Sequence, residues 1–71
     1  MTGRVLVRPK QFSLPRGLAV AWAEIDDDGR IDVKVETHPA SARGATLHLH
    51  AIRAAVERQA REVLAAERGR P

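Results

Sequence analysis

Three histidines, a run of three aspartates and Ser41 carry the acid–base, metal-ligating and nucleophilic character that chemistry needs. His48 and His50 are two residues apart. On a helix they point about 200° away from each other, so they do not share a metal; on a strand they share a face with no acid or thiol near in sequence to complete a site. Asp26-Asp27-Asp28 resembles a fragment of a calcium loop, but the alternating oxygen ligands and the terminal glutamate are missing. With Gly29 behind it, the run reads as a hairpin turn. Ser41 lies near His38 without an acid to orient the imidazole or a strained elbow to present the hydroxyl. No glycine-rich phosphate loop is present. The expectation is a protein that is not an enzyme, with no catalytic residue, metal or cofactor.

The other chemically capable groups are cations. The chain carries 12 Lys and Arg against 9 Asp and Glu, a formal net charge of +3. Residues 1–20 hold Arg4, Arg8, Lys10 and Arg16 and no acid, whereas residues 21–40 hold six acids against Arg30 and Lys34. Residues 41–71 are basic again. A nucleic-acid contact would use Arg4, Arg8, Lys10 and Arg16, or Arg58, Arg61 and Arg68 on the C-terminal segment. Against it stand the acids of the central segment, and Phe12 and Trp22 as the sole aromatic residues for stacking.

A chain of 71 residues is one small domain. Folds of this size bury only roughly 60% of the surface of the unfolded chain and draw extra stability from disulfides, metals or association. With no cysteine, association with another chain is the route left, and the same lack of cysteine suits a cytoplasmic protein. No apolar run approaches the roughly 18 residues of a membrane span. Ala21-Trp22-Ala23 mimics a signal-peptide cleavage site, but the apolar run Leu18–Ala23 is too short for one.

The elements that must position these groups follow from periodicity. Gly3 to Arg8 reads as a short strand stopped by Pro9, and the stretch from Pro9 to Gly17, with two prolines and a glycine, as a loop. Leu18 to Ile25 is a nearly continuous apolar run suited to a covered strand. Arg30 to Thr37 alternates Ile31, Val33 and Val35 with Asp32, Lys34 and Glu36, a period of two. After the small-residue connection His38 to Gly44, a helix is expected from about Thr46, as N-cap, to Arg68. Its apolar stripe is Leu49, Ile52, Val56, Ala60 and Val63, with Leu64 at the edge. Arg53–Glu57, Glu57–Arg61 and Arg58–Glu62 stand at ion-pair spacing. A competing reading makes Thr46–His50 a short strand. The fold class is thus α+β: a small antiparallel three-stranded sheet, hairpin 18–37 plus N-terminal strand 4–8, packed by one C-terminal helix over about 46–68.

Hairpin register decides which face is core. A four- or two-residue loop sets Trp22 opposite Val33 and gathers Leu18, Val20 and Trp22 with Ile31, Val33 and Val35. A three-residue loop sets Ile25 opposite Ile31, Ala23 opposite Val33 and Ala21 opposite Val35, and turns Leu18, Val20 and Trp22 to the side of Lys34 and Glu36. Turn chemistry favours the second, with a type I turn over Asp27-Asp28 and Gly29 left-handed. The second face is then covered by the N-terminal strand and the Pro9–Gly17 loop, or by another chain. The expected interface is Leu18, Val20 and Trp22, with Val63 and Leu64 on the overhanging end of the helix. The functional expectation is a non-enzymatic protein-binding module, an accessory subunit or inhibitor of the kind that phages and mobile elements encode. It is homodimeric and takes no small-molecule substrate; the alternative is a nucleic-acid-binding module.

Overall fold

The computed structural model describes residues 3–44 and 46–69, without the side chain of Arg43. Strands β1 (Arg4–Leu14), β2 (Gly17–Ile25) and β3 (Ile31–His38) form one antiparallel sheet in the order β1-β2-β3. A 3-10 turn (Ala40–Gly44) leads into helix α1 (Thr46–Arg68), which packs on one face of the sheet. This is the expected α+β architecture, one layer of helix on one of sheet.

The β2–β3 hairpin takes the three-residue register: Ile25 pairs with Ile31, Ala23 with Val33 and Ala21 with Val35. The turn shows why. The N–H of Asp26 donates to the carbonyl of Arg30 (2.9 Å), closing a loop of Asp27, Asp28 and Gly29. The Asp26 carboxylate accepts from the N–H groups of Asp28 and Arg30, both at 2.9 Å. Gly29 sits at φ 81°, where a side chain is strained.

The N-terminal strand continues well past Arg8. The stretch expected as a loop is strand as far as Leu14, and the reversal shrinks to Pro15-Arg16, between the paired Leu14 and Gly17. Pro9 is tolerated because β1 is an edge strand and Pro9 falls at a register irregularity between Val7 and Lys10. A second irregularity, between Val5 and Val7, lets Leu6 and Val7 both join the core. β1 therefore lies in the plane of the sheet and does not cover it.

Ala19, Ala21 and Ala23 are fully buried, and their small side chains let the helix approach. Ile52, Val56 and Ala60 fill the contact from the helix, with Val7, Leu14 and Ala42 around them. The apolar stripe expected on the helix is the one observed, and Leu49, Val63 and Leu64 are half-buried at its ends. Thr46, expected as the N-cap, is instead the first helical residue. Residues 46–50 are helical, so the strand reading of that segment does not hold. Ile52, Val56 and Ala60 are the deeply buried helix residues, and the first turn is open, with Leu47 83% exposed; the end carrying Val63 and Leu64, expected to overhang, instead lies against the sheet beside Ile31. The C-terminal end is tied back by Arg4, whose guanidinium donates to both oxygens of Glu67 at 2.8 and 2.6 Å. That hydrogen bonding, and then the charge of Glu67, raise the Arg4 pKa above its ordinary value. No helix among the described residues is long and apolar enough to cross a membrane.

Candidate protein interface

Alternation along β2 follows directly from the register. With Ala19, Ala21 and Ala23 turned to the helix, Leu18, Val20, Trp22 and Glu24 face the opposite side of the sheet. All four are half-buried, although no element of the described residues packs over them. Cross-strand neighbours account for the partial cover. Trp22 stands opposite Lys34 on β3, and on β1 opposite the irregularity that holds Arg8 and Pro9. Its indole Nε1 donates to Glu24 Oε2 at 2.9 Å, which satisfies the polar end of the ring and pins it along the strand.

The apolar row is bordered by polar ones. On β3 the same face carries Asp32, Lys34, Glu36 and His38. Lys34 Nζ lies 3.7 Å from Asp32, and His38 Nε2 lies 3.8 Å from Glu36. On β1 it carries Gln11 and Ser13, opposite Val20 and Leu18. At one end Val5, 51% exposed and opposite Glu24, extends the apolar surface. Val5 was not legible in the sequence, because the irregularity after it decides which face it takes. Leu47 was missed for a simpler reason: it lies off the helix stripe.

The five residues expected to form one contact fall on two sides of the molecule. Leu18, Val20 and Trp22 are together on the open face. Val63 and Leu64 belong to α1, on the other side of the sheet, and Leu64 lines a shallow groove with Ile31 and Ala65.

The basic residues are dispersed. Arg4 is engaged by Glu67, Arg61 Nη2 pairs with Glu57 Oε2 at 2.5 Å, and Lys10 Nζ donates to Gln59 Oε1 at 2.8 Å. Arg16 lies in the β1–β2 turn, roughly 35 Å along β1 from Arg4. Arg8 borders the open face, while Arg58 and Arg68 are exposed on the helix. Arg53 turns away from Glu57: its Nη1 donates to the carbonyl of Val33 at 3.1 Å, on the outer edge of β3. His48 lies near Pro15, Arg16 and Ser41 beside the 3-10 turn, separate from the open face.

Comparison with protein-family models, with curated proteins and with solved structures gives no match for this chain.

Proposed function

We propose that this chain is a non-enzymatic protein-binding module of accessory-subunit or inhibitor type, acting as a homodimer and occupying an apolar patch of another protein with its open sheet face. The observation that carries this reading is the contiguous row Leu18, Val20 and Trp22 on the face that the helix leaves uncovered. Its composition supports it: a tryptophan anchor among aliphatic residues, with charged side chains along one border, is the usual anatomy of a binding surface. Tying down the indole N–H within the strand leaves the ring an apolar contact surface, since no further partner is required for that donor.

The test compares the wild-type protein with Trp22→Ser, each immobilised and exposed to nuclease-treated extract of the native host. A protein retained by the wild type and lost with the variant, at unchanged melting temperature, is the expected result. Retention that disappears with nuclease, and that weakens steeply between about 50 and 200 mM salt, would instead identify a phosphate-directed contact. Light scattering at tens of micromolar chain reads the homodimer directly, and a strict monomer there removes that part of the reading.

A further inference from the structure

We infer that two copies of this chain join edge to edge through β3, antiparallel about a two-fold axis at Val35, to form one continuous six-stranded sheet. The inference rests on the homodimer reading above and supplies its geometry. Backbone direction comes first. Asp26 and Arg30 form a hydrogen-bonded pair, so alternation along the ladder points the N–H and C=O groups of Asp32, Lys34, Glu36 and His38 at β2. Those of Ile31, Val33, Val35 and Thr37 point outward, along a strand with no neighbour in the sheet among the described residues. The Val33 carbonyl receiving Arg53 from outside the sheet agrees with this assignment. The 3-10 turn after Pro39 begins beside Thr37, whose Oγ1 donates to the carbonyl of Ala40 at 3.4 Å, and from Ser41 on runs toward Pro15 and Arg16 at the β1–β2 end.

Charge order selects the occupant and the register. About an axis at Val35, Lys34 lies opposite Glu36 of the second copy, and Asp32 lies opposite His38, a hydrogen-bond donor in either protonation state. Each contact occurs twice. Moving the axis to Lys34 sets lysine on lysine and Asp32 on Glu36; moving it to Glu36 sets glutamate on glutamate. An axis at Val33 again opposes unlike charges, but it pairs only Ile31 to Val35 and brings both Arg53–Val33 bonds to the centre. The Val35 axis pairs Asp32 to His38, nearly the whole strand, and leaves each Val33 carbonyl one lone pair for Arg53 and one for the N–H of Thr37 of the second copy. It also brings Pro39 of the second copy opposite Ile31, at the groove that holds Leu64.

A two-fold axis perpendicular to the sheet keeps both helices on one side. The two Leu18–Val20–Trp22 rows then share the other side, three strand spacings or about 14 Å apart. The dimer so built presents the open face twice to a single partner.

Because the chain has no cysteine, single-cysteine variants test the register. Mixed Lys34→Cys and Glu36→Cys chains under mild oxidation should give a disulfide-linked heterodimer, with little cross-linking of either variant alone. Lys34→Glu should weaken dimerisation roughly tenfold or more, and adding Glu36→Lys to it should restore the dimer. A wild-type dimer that gives no cross-link in the mixture, or equal cross-linking of Lys34→Cys alone, overturns the edge geometry and leaves the dimer standing. A wild-type monomer overturns the dimer itself.

Discussion

Gly17 and Gly29 are both glycines at strand ends, yet they are required for different reasons. A Cβ on Gly17 would lie 2.4 Å from the carbonyl oxygen of His38, so any side chain there pushes β2 and β3 apart. A Cβ on Gly29 meets nothing, but φ is +81°. Gly29→Ala should therefore cost about 1 kcal/mol from the left-handed backbone alone. Gly17→Ala should cost more, about 1–3 kcal/mol from overpacking against backbone that cannot rotate away. Urea unfolding of the two variants gives the order directly. Trp22 is the contrasting residue: it lies on the face away from the helix, so Trp22→Ser should leave cooperative unfolding in place while abolishing partner capture. A chain that no longer folds with serine at 22 would make the tryptophan structural.

The elements were legible to different degrees. Strict alternation from Ile31 to Glu36 and the stripe from Leu49 to Val63 are local patterns, and both elements stand where those patterns put them. Asp27-Asp28-Gly29 favoured the three-residue register, because a type I turn followed by a left-handed residue wants glycine in that place; a two-residue Asp28-Gly29 loop accepts glycine as well, and the Asp26–Arg30 pairing selects the former. Strand β1 was half legible. Proline reads as a breaker, and it is tolerated here by an edge strand and a register irregularity, which no local pattern announces. The seam between helix and sheet invites a test at the same scale. Val56 is 1% exposed against fully buried alanines of β2, so Val56→Ala should cost about 2 kcal/mol from lost burial and cavity. Ala21→Leu should cost a similar amount, about 1–3 kcal/mol, by forcing the layers apart. Denaturant midpoints, at unchanged slope, check both.

At the scale of the whole molecule, the dimensions are 45 × 24 × 15 Å, long and thin. The thin axis holds one sheet and one helix, so the sheet has a covered face and an open one. A domain of this size has on the order of 4–10 kcal/mol of stability, and the proposed association through the β3 edge would add to it by mass action. The melting temperature should accordingly rise with chain concentration over a roughly twentyfold range, as scanning calorimetry would read. A concentration-independent melting temperature would argue for a self-sufficient monomer.

The candidate site was legible in part for the same physical reasons. Leu18, Val20 and Trp22 could be placed on one face as soon as the turn was read, because side chains alternate strictly along a strand. That this face stays open was decided by tertiary structure, since β1 runs in the sheet beside β2 and not across it. Val63 and Leu64 were apolar and near the helix end, but the side of the sheet on which they fall depends on where the helix docks. The sequence by itself determined the order of elements and the helix stripe and favoured the hairpin register that the Asp26–Arg30 pairing then fixed, all through contacts within a few residues. Tertiary structure alone decided the length of β1, the open face and the turning of Arg53 to the sheet edge, because each depends on atoms distant in the chain.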